Sequence, residues 1–170
     1  MGLFTSAQSD SLECLLVDQM KDLYDAEHRL IDALPKMADA ASSPQLKKAF
    51  QSHLRETKGH VNRLEQAFQL LDESAKRESC EAMKGLIKEG EEMIDSKGDP
   101  AIKDAALIAA AQRVEHYEMA GYGSARNFAQ RCGRSDVADL LQQTLQEEGD
   151  ADKKLTEVAE SSINTAAARV

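Results

Sequence analysis

Apolar residues recur at helical spacing through four long stretches of this chain, and short runs that no helix continues through separate them. In SLECLLVDQMKDLYDAEHRLIDALPKMADAA, Leu16, Met20, Leu23, Leu30, Ile31 and Leu34 repeat at intervals of three, four and seven, which predicts one helix over about residues 6–41, starting near Ser6, with a bend allowed at Pro35. Ser42, Ser43 and Pro44 then form a turn in which Ser43 suits the N-cap and Pro44 the first helical position. A second helix over about 44–72 carries Phe50, Leu54, Val61, Leu64, Phe68 and Leu71 on one face.

From residue 73 to 99 the pattern weakens to a short amphipathic segment, CEAMKGLIKEGEEMI, which predicts a helix over about 79–95 ahead of the breaker SKGDP. Asp99 caps and Pro100 opens a third long helix to about 131; CGRS interrupts it, and Ser135 is expected to cap a fourth over 135–162, with the last eight residues frayed. Composition agrees: aromatic residues make up 4%, there are three prolines, no Trp, and abundant Ala, Leu, Glu, Lys and Gln. The 170 residues suit one domain. Two helical hairpins joined by a long link imply an all-α four-helix bundle of ferritin-like connectivity, whose crossover between the second and third long helices carries a short extra helix; a simple up-and-down order remains the other topology.

The net charge of −9, with Lys and Arg interspersed among acids, argues against a nucleic-acid surface. No apolar run approaches the roughly 20 residues of a membrane span, and MGLFTSAQSD lacks the regions of a signal peptide, so no membrane partner and a cytoplasmic location are expected. Cys14, Cys80 and Cys132 are odd in number and widely spaced, which reads as reduced thiols.

The acids within the apolar stripes carry the chemistry. At about 100° per residue, Leu16, Met20, Leu23, Ile31 and Leu34 all lie within roughly 40° of Glu27. Ile108, Ala111, Met119 and Tyr122 lie equally close to Glu115, with Glu118 roughly 60° away on the same side. Leu141, Leu155 and Ala159 bracket Glu148 within roughly 20°, and Asp152 follows one turn on at roughly 40°. The second helix is centred near Thr57, with His53 and His60 roughly 40° to 60° to one side and Glu56 on the flank at about 100°. An isolated buried carboxylate costs several kcal/mol. Four helices that each place one on the core side need a common compensation; an interior Lys or Arg would supply it most directly, but Arg29, Lys58, Arg113 and Lys153 mostly project elsewhere, and a metal ion fits better.

Such a set resembles the carboxylate-bridged dinuclear iron or manganese sites of ferritin-like bundles, and the Glu115 and Glu118 pair resembles the third helix of rubrerythrin-type sites. More closely, DLYDAEHRLIDALPKMA, HLRETKGHVNRLEQAF, VEHYEMAGYGSA and LLQQTLQEEGDADKKLTEVA are similar to the YciE/YciF family of bacterial ferritin-like proteins, over nearly the whole chain. The resemblance implies a cytoplasmic, stress-associated homodimer with a dinuclear metal site, and no defined reaction. The chain departs from the usual pattern at Gly59, three residues after Glu56 where a His is common, and at Ala151 and Asp152 after Glu148. The resulting candidate ligands are Glu27, His53, Glu56, His60, Glu115, Glu118, Glu148 and Asp152. This carboxylate-rich set favours two iron ions, with manganese the other suitable ion, over zinc or copper.

The expected arrangement has Glu56 and Glu148 bridging, Glu27 and Glu115 on the outer sides and Glu118 moving with oxidation state, in a centre that reacts with oxygen or peroxide. A non-catalytic, metal-stabilised structural or interaction protein is the alternative, and a storage shell a third. Simpler roles stand beside several of these assignments: His53 and His60 as core-edge histidines, and Tyr24, Tyr117 and Tyr122 as packing residues or hydrogen-bond donors to the site, while the run QEEGDADKK, Glu147 included and Glu148 and Asp152 apart, reads as a charged face. His28 and His116 point about 100° away from their neighbouring glutamates and are expected in solvent. Without a Cys-x-x-Cys pair, no rubredoxin-type electron path is expected.

Overall fold

The computed structural model describes residues 10–170 and is helical nearly throughout: α1 (Leu12–Ala40), α2 (Pro44–Leu70), α3 (Glu81–Asp95), α4 (Pro100–Arg131), α5 (Ser135–Val158), a π-helical turn (Ala159–Ile163) and α6 (Asn164–Ala167). The expected start of the first helix near Ser6 lies outside the described residues; α1 begins at Leu12, where the Ser11 hydroxyl accepts the Cys14 N–H at 3.1 Å. Ser43 and Asp99 cap α2 and α4 in the same manner, accepting from the Leu46 N–H at 3.4 Å and the Ala101 N–H at 2.8 Å, with Pro44 and Pro100 in the first turns.

Two terminal expectations are corrected. Ser135 is the first residue of α5 and does not cap it: Arg134 holds the cap position without a side-chain hydrogen bond, and Asp136 accepts the Val137 N–H at 2.9 Å. The chain end is not frayed from residue 163 but stays helical to Ala167. The π turn keeps Ala159 and Ile163 buried against the bundle, and that burial holds the last turns in place.

The core consists of two apolar clusters stacked along the bundle. One joins Leu30 and Leu34 of α1, Leu46 and Phe50 of α2, Leu107 and Ala111 of α4, and Leu155 and Val158 of α5. The other joins Leu16 and Met20, Leu64 and Phe68, Tyr122 and Ala125, and Val137 and Leu141 from the same four helices. The start of α1 therefore shares a layer with the end of α2, the end of α4 and the start of α5. Contacts run between α1 and α2, α2 and α5, α5 and α4, and α4 and α1, all antiparallel pairs, while α2 and α4 run parallel. Parallel neighbours in sequence require a return along the bundle, which α3 makes against α1 and α4. This is the ferritin-like connectivity; the up-and-down order is excluded.

Buried acids tie the connections down. Asp25 accepts from the Cys80 N–H at 2.9 Å, from Arg77 at 2.9 Å and from Arg29, which anchors the entry of α3 to α1. Burial alone would raise its carboxyl pKa, but these donors hold it below the usual range. At the other end Asp104 accepts the Ser42 and Ser43 N–H groups at 2.8 and 2.7 Å, fastening the α1–α2 turn to α4. Gly121 lets α4 approach α1: a Cβ there would stand 2.8 Å from Leu23 Cδ2. No helix of the described residues is long and apolar enough to cross a membrane.

Replacing Asp104 with Ala removes the acceptor of two part-buried backbone donors and is expected to lower unfolding free energy by about 1 kcal/mol. Urea unfolding measures it; an unchanged midpoint would show that the turn holds itself.

Candidate metal centre

Between the two apolar clusters lies a polar layer made by all four long helices. Glu27 comes from α1, His53 and His60 from α2, Glu115 and Glu118 from α4, and Glu148 from α5. Glu27, His60, Glu118 and Glu148 are 0% exposed, and Glu115 and His53 are nearly so. Thr57, at the centre of the inner face of α2, donates to its own helix at His53 O (2.9 Å) and leaves the interior to the carboxylates.

The donors form two groups, each able to bring one ligand atom per residue within 4.8 Å of the others: His53, Glu115, Glu118 and Glu148 in one, Glu27, His60 and Glu148 in the other. Glu148 belongs to both. Its Oε1 lies 2.9 Å from His60 Nδ1, and its Oε2 lies 3.6 Å from His53 Nε2. His60 Nδ1 is also 3.3 Å from Glu27 Oε1, and His53 Nε2 is 3.3 Å from Glu115 Oε2. These approaches lack the direction of hydrogen bonds: both oxygens of Glu148 and of Glu118, Glu27 Oε2, Glu115 Oε2, His53 Nε2 and His60 Nδ1 are buried with no partner. Nitrogen and oxygen atoms that converge on common points without completing hydrogen bonds among themselves suit a metal ion, which on binding displaces the imidazole protons.

Electrostatics shows the strain of this layer without an ion. Burial pushes the carboxyls of Glu115 and Glu118 well above their ordinary range, and raises that of Glu27 although His60 faces it. Glu148 moves down despite its burial, because His60 and His53 stand against its two oxygens. Burial disfavours charge on the imidazoles, yet the surrounding carboxylates outweigh it and lift His53 to about 9 and His60 to about 11.

Of the eight candidate ligands, six meet here and two do not. Glu56 was expected to bridge. Instead it stands outside His53, its side chain 42% exposed, with Oε2 3.3 Å from His53 Nδ1 and Oε1 3.4 Å from the Ser52 hydroxyl. The physical reason is its place about 100° off the inner face of α2. Asp152 is displaced one turn along α5 from Glu148, where Oδ1 accepts from Gln112 at 3.0 Å and lies 3.3 Å from the exposed His116. The carboxylate common to both groups is Glu148 alone among the described residues.

Of the three tyrosines, Tyr122 reaches the layer and donates to Glu27 Oε1. Tyr24 donates to Glu65, and Tyr117 donates to Asp22 beside Cys80. His28 packs edge-on against Tyr24. Sequence reasoning missed Glu147, which it placed on a charged face: its Oε2 is 2.9 Å from His60 Nε2, and Arg63 grips the same carboxylate. No periodicity within α5 marks Glu147, because the imidazole it meets lies on α2.

Fold and site together define a four-helix bundle of ferritin-like connectivity with a buried carboxylate–imidazole cluster at its waist. Residues 11–168 match the family described as "Domain of unknown function (DUF892)". The chain belongs to this family. It is 43% identical over 155 residues to Protein YciF of Escherichia coli (strain K12), covering 91% of this chain and 93% of that protein. The crystal structure of the E. coli stress protein YciF superposes with a TM-score of 0.87 at 42% identity, covering 91% of this chain and 98% of that one. YcfI from Rhodopseudomonas palustris gives 0.86 at 38% identity, covering 90% and 98%. The expected YciE/YciF membership holds.

In the metal-free protein both imidazoles gain affinity for protons on folding, from 6.5 to about 9 and about 11. Their contribution to stability is complete below pH 6.5 and is lost as pH rises through those folded values; the raised acids Glu115 and Glu118 act in the same direction from lower pH upward. With chelator present, the urea midpoint is expected to fall between about pH 7 and about pH 10. A rise over that interval contradicts the assignment.

Proposed function

We propose that this protein holds two iron ions, with manganese the other ion its donors suit, and that the loaded centre reacts with oxygen or peroxide. One observation carries the reading: the two oxygens of the buried Glu148 face different imidazoles, as a bridging carboxylate must. Charge supports the number. Glu27, Glu115, Glu118 and Glu148 contribute four negative charges when ionised, and two divalent ions with two neutral imidazoles balance them. Donors dominated by carboxylate oxygen favour iron or manganese over softer ions.

Iron in such a pair would supply two-electron exchange with oxygen or peroxide. The chain's own residues prepare the setting. Glu148 spans the two positions, His60 and Glu27 serve one, and His53, Glu115 and Glu118 serve the other. Tyr122 donates to one oxygen of Glu27 and so orients the other toward the interior. Neither oxygen of Glu118 has a hydrogen-bond partner, which leaves that side chain free to change how it binds. All donors come from one chain, so the reading holds for a monomer and for the expected homodimer. E. coli YciF is described as a stress protein, and we place this chain in the same setting.

The alternative, an ion that serves only to compensate buried acids, draws on the near-complete burial of the whole cluster. Metal analysis followed by stopped-flow absorbance separates the two. Anaerobic protein is expected to take up two ferrous ions per chain and to show rapid near-ultraviolet absorbance growth on mixing with oxygen or hydrogen peroxide, and Glu148→Ala is expected to lose both. Stable metal binding without rapid oxidation would assign the site to the structural role, and no binding would remove the site.

A further inference from the structure

We propose that Glu56 and Glu147, which do not belong to the donor groups, are positioning residues that fix the two imidazoles in opposite tautomers, so that His53 offers Nε2 and His60 offers Nδ1 to the metals. The inference rests on the dinuclear reading above and adds residues to it. A neutral imidazole carries one N–H and one lone pair, and whichever nitrogen donates outward leaves the other free to ligate.

In both rings the outer nitrogen meets a carboxylate and the inner one meets none in hydrogen-bonding geometry. Glu56 Oε2 is 3.3 Å from His53 Nδ1, and Glu147 Oε2 is 2.9 Å from His60 Nε2. The opposite nitrogens, His53 Nε2 and His60 Nδ1, are the buried, unpaired ones that face Glu148. A carboxylate accepts only, so each outer contact requires the proton on the outer nitrogen and directs the lone pair inward.

The two devices differ in strength. Glu56 sits one turn from His53 on the same helix, is 42% exposed, and has the Ser52 hydroxyl at 3.4 Å as its other partner. Glu147 reaches across from α5, and Arg63 grips both its oxygens while donating to the Thr144 hydroxyl at 3.0 Å. His60 is therefore held by an anchor itself gripped by Arg63 and His53 by an exposed one with longer contacts, and loss of Glu147 carries the greater cost. An ordinary salt bridge between α2 and α5 would account for Arg63 and Glu147 but not for a matching carboxylate on the outer nitrogen of His53.

The test uses the full chain loaded with zinc as a diamagnetic probe and labelled with nitrogen-15. Long-range proton–nitrogen correlation reads the protonated nitrogen of each imidazole, with His28→Asn and His116→Asn simplifying the assignment. His53 is expected protonated at Nδ1 and His60 at Nε2, with the other nitrogens shifted by metal. Glu147→Ala is expected to weaken zinc binding by roughly 10–100-fold and Glu56→Ala by less, while Glu147→Gln, which keeps an acceptor, recovers part of the loss. Both rings protonated at the same-named nitrogen, or unchanged affinity in both Ala variants, would overturn the proposal and leave the metal centre standing. Imidazoles that do not respond to zinc would overturn the metal centre and this proposal together.

Discussion

Four carboxylates crowd into the waist of a helical bundle, and little there but two imidazoles offsets them. Even after relaxation, a buried ionised group costs several kcal/mol without compensation, so the waist opposes folding until something neutralises it. The two apolar clusters on either side supply the stability that tolerates this layer. The antiparallel arrangement of neighbouring helices brings acids from the middle of four separate segments to one level. Bundle architecture and the geometry of the buried carboxylate–imidazole cluster are thus the same constraint seen at two scales.

Cations are kept out of the waist. Arg29 and Arg77 are engaged by Asp25 on the outer side of α1, and Arg63 is engaged by Glu147 at the α2–α5 seam. Among the described residues, both oxygens of Glu118 and of Glu148 lack a hydrogen-bond partner, so no Lys or Arg donates to either carboxylate. Had an arginine reached inward, it would have satisfied the carboxylates and removed their capacity to ligate. Asp25 and Glu147 thereby hold the crossover and the α2–α5 seam together through arginines that they keep paired.

Much of this was legible in the sequence because helix phase is a strong signal in long segments. Glu27, Glu115 and Glu148 lie at the centres of their stripes, and a phase error of a few tens of degrees does not move them out. The failures follow from what phase omits. Glu56 has the right depth but the wrong azimuth, and Asp152 the right azimuth but the wrong height, where Gln112 and His116 take it up. Glu147 belongs to the layer through its neighbour helix, and pairing across helices is invisible in a single periodicity. The capping errors are of the same kind: burial of Ala159 and Ile163 sustains the chain end where local propensity predicts fraying, and Gly133, at φ 75°, ends α4 without Ser135 acting as a cap.

Anomalous diffraction from crystals loaded anaerobically with ferrous iron tests the central claim most directly. Two peaks per chain are expected, one on each side of the Glu148 carboxylate, the first beside His60 Nδ1 and Glu27, the second beside His53 Nε2, Glu115 and Glu118. A single peak, or peaks at Glu56 or Asp152 with the waist empty, would contradict it.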